Sequence, residues 1–63
     1  MTALTAVSAA IYAARALAYL PGLSILDATV AEDGETVDVL FTSEGVDATM
    51  TVWIEAGELY GEW

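Results

Sequence analysis

The sequence contains no cysteine, no histidine and no lysine, and Arg15 is its only basic residue. Without cysteine no disulfide can form, and without cysteine or histidine the usual ligands of a zinc site are missing. The serines also lack the histidine or lysine that acts as the activating base for a serine nucleophile in most enzymes, and there is no cysteine to act as a nucleophile itself. We therefore expect a protein that is not an enzyme and that carries no cofactor.

Chain length and charge limit the function further. Sixty-three residues predict a single domain, spanning 1–63, with a small hydrophobic core. Ten acidic residues against one basic residue give a formal net charge of -9, and every acid lies from Asp27 onward. Such a surface repels nucleic acid and anionic membranes and attracts basic proteins. The predicted partner is therefore a basic protein, with no direct contact to nucleic acid or membrane.

The first 26 residues are apolar enough to raise the question of a membrane segment. Arg15 lies in the middle of this stretch, where a charge is costly in lipid, and alanine supplies much of its apolar character. No basic residue precedes the apolar run, as a secretory signal would require. We expect a soluble, unprocessed protein of the cytoplasm.

Residues Ala3 to Leu20 are predicted to form a helix. Alanine, the best helix former, dominates the segment, Thr2 is a candidate N-cap, and Pro21 ends the helix. The polar and aromatic residues recur at helical spacing on a predicted outward stripe: Thr5, Ser8, Tyr12, Arg15 and Tyr19. The predicted face toward the rest of the protein is Ala3, Val7, Ala10, Ile11, Ala14, Leu17 and Ala18.

The remainder of the chain alternates between apolar and polar residues, which is typical of strands with one buried face. The alternation is clearest from Val46 to Glu55. Four strands are predicted: Ser24 to Glu32, Glu35 to Thr42, Val46 to Glu55 and Glu58 to Trp63. Because short turns separate them, the predicted fold class is α+β, with the helix packed on a four-stranded antiparallel meander of order 1-2-3-4.

Turn chemistry predicts the register of each hairpin. Asp33-Gly34 indicates a two-residue type I′ turn, and Ala56-Gly57 indicates a second tight turn. The predicted inward pairs of the first hairpin are Val30 with Val37, Ala28 with Val39, and Leu26 with Phe41. Across the middle hairpin they are Phe41 with Val46, Val39 with Ala48, and Val37 with Met50. In the last hairpin they are Ile54 with Leu59, Val52 with Gly61, and Met50 with Trp63, while Trp53 and Tyr60 pair on the outer face.

The solvent-facing side of this sheet is the candidate binding surface. It is predicted to carry six acids, namely Asp27, Asp38, Asp47, Glu55, Glu58 and Glu62, together with Trp53 and Tyr60 as aromatic anchors. Four more acids at the hairpin tips are reserves: Glu32, Asp33, Glu35 and Glu44. Carboxylates in rows about 4.8 Å apart form a dense negative lattice that resembles the phosphates of DNA to a basic protein.

Three other interpretations remain open. The acids can serve only for solubility, with Trp53 and Tyr60 a cross-strand pair that stabilises the last hairpin. The protein can be a homo-oligomeric adaptor or interaction module, whereas the acidic inhibitor is expected to be a monomer or a weak homodimer. The contacts of the adaptor come from an aromatic surface: Tyr12, Tyr19, Leu40, Trp53 and Tyr60. The acids of the 32–35 segment can hold calcium or magnesium, although the spacing of a calcium loop is absent.

In size, acidity, lack of catalytic residues and helix-plus-sheet layout, the chain resembles the small phage-encoded anti-CRISPR proteins. The resemblance covers the whole chain and rests on this general character. Some members of that group are acidic mimics of DNA that occupy the DNA-entry or PAM-reading surface of a CRISPR effector. The resemblance implies a non-enzymatic inhibitor that acts in the host-cell cytoplasm on a basic nucleic-acid-binding protein.

Overall fold

The computed structural model describes residues 3–63, which form one helix followed by a four-stranded antiparallel sheet. The elements are α1 (Ala6–Ala16), β1 (Ser24–Val30), β2 (Thr36–Ser43), β3 (Val46–Glu55) and β4 (Glu58–Glu62). The strand order is β1-β2-β3-β4, so the predicted α+β meander is confirmed. The helix packs on one face of the sheet and leaves the other face open.

The helix is shorter than predicted at both ends. Thr5 is the N-cap, and a reciprocal pair of hydrogen bonds joins it to Ser8: the Ser8 N–H donates to Thr5 Oγ1 at 3.0 Å, and the Thr5 N–H donates to Ser8 Oγ at 2.9 Å. This capping box satisfies N–H groups that have no partner within the helix. The proposed N-cap Thr2 lies outside the described residues. At the other end Leu17 is the C-cap, and the Leu20 N–H donates to the Leu17 carbonyl in a tighter turn before Pro21.

The prediction of which helix face is buried was right for Leu17 and wrong for most of the other residues assigned to that face. Ala9, Ala13 and Leu17 are buried against the sheet, while Val7 is 70% exposed and Ile11 is 49% exposed. Of the other residues assigned to the inward face, Ala3, Ala14 and Ala18 are exposed and Ala10 is half-buried. The small alanine side chains allow the helix backbone to lie close to the sheet, and this close approach outweighs the burial of the larger Val7 and Ile11.

Tyr12 was also assigned to the wrong face. It is half-buried and packs against the core, whereas Arg15 and Tyr19 from the same predicted stripe are exposed. A Cβ added to Gly61 of β4 would lie 2.9 Å from Tyr12 Cε2. The phenol ring therefore lies against β4, where the absence of a side chain at Gly61 makes room for it.

The hydrophobic core lies between α1 and the inner face of the sheet. Its fully buried members on the strands occupy alternate positions, as the predicted alternation requires: Val37, Val39 and Phe41 on β2, with Met50 and Val52 on β3. Trp63 follows β4, and its ring meets that of Phe41 edge to face with 5.3 Å between centroids. The predicted pairing of Met50 with Trp63 would continue the register of the last hairpin, but β4 ends at Glu62 and this pair is not part of the ladder; the indole packs on Phe41.

The first hairpin has the predicted register near its turn and a bulge at its far end. Val30 pairs with Val37 and Ala28 pairs with Val39, as predicted. The register then shifts between Ile25 and Asp27, so that Ile25 pairs with Phe41 and Leu26 is 51% exposed. The predicted pairing of Leu26 with Phe41 is therefore wrong. Ile25 and Leu26 are both large and apolar, so the alternation of the sequence does not show which of them faces the core. The bulge turns Leu26 outward and leaves Ile25 in the inward position.

The loop of the first hairpin is not the predicted type I′ turn. Such a turn needs a positive φ at both central residues, but only Gly34 has one, at 70°. The loop comprises residues 32–35: the Ala31 N–H donates to the Thr36 carbonyl, and the Gly34 N–H donates to the Ala31 carbonyl, each at 2.9 Å. Asp33 Oδ1 accepts the Glu35 N–H at 2.9 Å, and this bond supports the longer loop.

The middle hairpin is shifted by two residues from the predicted register. Ser43 pairs with Val46, Phe41 with Ala48, Val39 with Met50 and Val37 with Val52. The turn consists of Glu44 and Gly45 alone, with φ values of 50° and 79°. A left-handed glutamate is unfavourable, so the residue types of this segment do not indicate a two-residue turn. Because the shift is an even number of residues, no side chain changes face.

The last hairpin is confirmed in register. Ile54 pairs with Leu59, Val52 with Gly61, Trp53 with Tyr60 and Thr51 with Glu62. Its turn residues Ala56 and Gly57 have φ values of 52° and 80°. The two positive φ values are those of a type I′ turn, whose twist matches that of the flanking strands.

Candidate functional site

The outer face of the sheet is the face that points away from α1. All six acids predicted to lie on this face do lie there. The buried residues of β2 and β3 identify the inner face, and the residues between them point outward. Cross-strand partners share a face, so the registers place the acids of β1 and β4 on the same side. All six are exposed: Asp27, Asp38, Asp47, Glu55, Glu58 and Glu62.

The outer face also lacks any basic residue. Arg15, the only base of the chain, lies in α1 on the other side of the sheet. Between the acids stand threonines and the apolar Leu40, which is 36% exposed. The face is therefore negative from one end of the strands to the other, without an internal cation to neutralise it.

Two aromatic residues form a row across β3 and β4, hereafter the aromatic row. Trp53 and Tyr60 are cross-strand partners whose rings stack with centroids 6.3 Å apart and planes 24° apart. Trp53 is half-buried, and Tyr60 is 39% exposed. Because β4 is the edge strand of the sheet, no further strand from residues 3–63 lies beyond Tyr60.

Carboxylates border the aromatic row on both sides along the strands. On one side Glu55 and Glu58 are directly opposite each other, and on the other side Glu62 pairs with Thr51. The Tyr60 hydroxyl donates to Glu58 Oε2 at 3.4 Å. The charge of Glu58 is the main reason that the pKa of Tyr60 is raised, with desolvation, this hydrogen bond and the charge of Glu55 adding to the effect. The phenol of Tyr60 therefore keeps its proton and stays neutral, although carboxylates surround it.

The six acids differ in how strongly the fold holds them. Asp38 Oδ1 accepts the Thr51 hydroxyl at 3.2 Å, and Asp27 Oδ1 accepts the Ala28 N–H at 2.9 Å beside the bulge of β1. Within residues 3–63 the side-chain hydrogen bonds do not involve three of the outer-face acids, which are Asp47, Glu55 and Glu62. Those three can be changed with the least effect on the fold.

The four reserve acids occupy the two ends of the sheet instead of the outer face. Glu32, Asp33 and Glu35 lie in the loop of the first hairpin, and Glu44 lies in the turn of the middle hairpin at the opposite end. Across the described part of the chain, no three acidic side chains are placed to hold a metal ion. The reserve acids extend the negative surface around both ends.

The helix side has a different character, which the sequence analysis missed. Ser8, Ile11, Tyr12, Arg15, Ala16 and Leu59 line a groove of about 510 Å³ between α1 and β4. Val7 and Ile11 are exposed beside it. The 3.6-residue period could not reveal this surface, because nearly every position of the alanine-rich helix is apolar. Of the helices in residues 3–63, none is both long and apolar enough to cross a membrane.

Comparisons with protein-family models, with curated proteins and with solved structures find no match to this chain.

Proposed function

We propose that the protein is a non-enzymatic, stoichiometric inhibitor that occupies the basic nucleic-acid-binding surface of a partner protein. The observation that carries this proposal is the grouping of six exposed acids on one sheet face that contains no base. A partner that binds DNA through lysine and arginine meets there a rigid set of carboxylates in place of phosphates.

The density of negative charge supports mimicry of DNA. The described residues extend 32 Å along their longest axis, which is one negative charge for roughly each 5 Å when the six outer-face acids are counted, and for roughly each 3 Å when the four acids at the ends of the sheet are included. A single DNA strand carries a phosphate for about each 3.4 Å of helix axis. Solubility alone requires less charge than this on so small a protein.

The resemblance to anti-CRISPR proteins gives the proposal a specific form. Among partners that read DNA through a basic channel, a CRISPR effector presents both a PAM-reading site and a positively charged groove for the target strand. We propose that the outer face occupies one of these surfaces and blocks target recognition in the host-cell cytoplasm.

Neutralising outer-face acids is expected to weaken inhibition by about tenfold. The variant Asp47→Gln/Glu55→Gln/Glu62→Gln removes three charges that the fold does not use in side-chain hydrogen bonds, and exposed charge pairs contribute about 0.2–1 kcal/mol each. The measurement is target-DNA binding by purified CRISPR effectors in a gel-shift assay. The effect should shrink as salt is raised, because screening weakens the same interactions.

A matched control removes three acids from the ends of the sheet, as Glu32→Gln/Glu35→Gln/Glu44→Gln. Asp33 is left in place because it accepts a hydrogen bond within its loop. We expect this control to weaken inhibition by about threefold or less, because it loses only the general electrostatic attraction between the protein and its basic partner. Equal losses in both variants would show that net charge acts without a defined face. If the unaltered protein inhibits no effector, the CRISPR proposal is wrong.

A second candidate function, self-association through the helix, is favoured by the exposure of Val7 and Ile11. Residues 1–26 contain no acid, so the helix side is where two molecules of charge -9 approach with the least repulsion. Tyr19 is 71% exposed and adds a further apolar contact. Tyr12 packs against the core and is half-buried, so only the part of its ring that lines the groove is open to a partner.

Self-association predicts a dimer in sedimentation velocity that persists at high salt, because burial of apolar surface is not screened. Val7→Glu should return the protein to the monomer, since it places a charge on the contact. Leu40→Glu, a matched change on the outer face, should leave the dimer intact. A monomer at every concentration in both salts would remove this candidate.

A further inference from the structure

The arrangement around the aromatic row indicates which basic side chain the outer face binds best. Trp53 and Tyr60 stack on each other, with Glu55 and Glu58 on one side along the strands and Glu62 on the other. Alternate residues of a strand are about 6.8 Å apart, so carboxylates lie one such step from the rings on both sides. A flat cation placed on the row has carboxylate oxygens within reach on either side.

Both rings keep surface that a ligand can reach, since Tyr60 is 39% exposed and Trp53 is half-buried. Tyr60 lies on the edge strand, and Trp53 has Thr36 as its partner on β2, a side chain too small to cover an indole. The stacking of the rings and their position on paired strands hold them in place before any ligand arrives. Little side-chain freedom is lost when a cation binds to such a preorganised surface.

Arginine and lysine differ in how they use such a surface. The planar guanidinium of arginine stacks on aromatic rings and donates two parallel hydrogen bonds to a carboxylate. The ammonium of lysine is a compact, strongly hydrated charge that gains less from an aromatic face. A surface built of carboxylates alone would distinguish the two only weakly.

We propose that the aromatic row and its flanking carboxylates form a binding site for an arginine side chain of the partner protein. This inference rests on the proposed function and makes it more specific: the partner's surface must present an arginine to Trp53 and Tyr60, and a lysine in its place binds less tightly. The other acids of the outer face contribute general attraction to basic residues.

The test compares octa-arginine with octa-lysine, two peptides of equal charge, by isothermal titration calorimetry at low salt. We expect the protein to bind octa-arginine about three- to fivefold more tightly, the size of a cation–π contribution at an exposed site. Trp53→Leu should remove this preference and leave octa-lysine binding nearly unchanged. Trp53→Phe, which keeps a ring in the row, should retain most of the preference, and urea unfolding of each variant checks that it is folded.

The outcomes separate this inference from the proposed function. Equal affinity for the two peptides in the unaltered protein would overturn the arginine site and leave the acidic surface in place. A preference for arginine that survives in a folded Trp53→Leu variant would also overturn it. Failure to bind either peptide at low salt would overturn both proposals, because the outer face would then not attract basic side chains at all.

Discussion

Replacing Phe41 with alanine is expected to remove a large share of the free energy of unfolding of the protein at 25 °C. Phe41 is 1% exposed, is the largest fully buried side chain and packs edge to face with Trp63. Truncation of a buried phenylalanine costs about 3–5 kcal/mol, through lost burial and the cavity left behind. A chain of this length has a total stability of roughly 3–9 kcal/mol at the usual value per residue. Urea unfolding followed by circular dichroism measures the loss directly.

Leu40→Ala is the matched control for this prediction. Leu40 precedes Phe41 on the same strand but points to the outer face, where it is 36% exposed. The same apolar-to-alanine change should cost about 1 kcal/mol or less, because the side chain loses little burial and leaves no cavity. Comparable losses at both positions would contradict the assignment of inner and outer faces, on which the whole functional argument depends.

The second large effect is expected from Gly61→Val, which should destabilise the protein by about 1–3 kcal/mol, the range for overpacking a filled core. A Cβ at this position would lie 2.9 Å from both Met50 Sδ and Tyr12 Cε2, closer than carbon contacts allow. β-propensity alone predicts the opposite sign, since valine favours strands and glycine does not. Thermal unfolding distinguishes these two predictions, because the clash lowers Tm and the strand propensity of valine raises it.

Glu62→Val provides the comparison within β4. Glu62 is the next residue along and points to the outer face, where valine meets no core atom. This change should leave Tm unchanged or raise it, because it adds strand propensity and removes a repelling charge. A rise in Tm for Gly61→Val as well would mean that the contact of Tyr12 with β4 is not as close as described.

Alternation and turn chemistry were sufficient to predict the sheet and its outer face from the sequence. The last hairpin was predicted in register because Ala56-Gly57 leaves only two residues for the turn. The middle hairpin was misjudged by two residues, since Glu44 adopts a positive φ that its residue type disfavours. An even shift preserves the faces, and the six acids were therefore placed correctly in spite of it.

The helix could not be oriented by the same reasoning. In a segment where nearly every residue is apolar, the few polar and aromatic residues decided the prediction, and the outward stripe that included Tyr12 placed Val7 and Ile11 on the inward face. The structure buries Ala9 and Ala13 instead, because their size sets how closely α1 approaches β1 and β2. The distance between the helix and the sheet depends on the side chains of both, so the sequence of the helix alone does not predict it.

The grouping of every acid beyond residue 26, with Arg15 on the opposite side of the sheet, has a consequence for the rate of binding as well as its strength. It gives the molecule a large permanent dipole moment directed across its thickness. In the field of a cationic partner this dipole experiences a torque, so the molecule rotates to present its sheet before the two surfaces touch. Productive encounters then become a larger fraction of all collisions, and association is faster than for the same charge spread evenly.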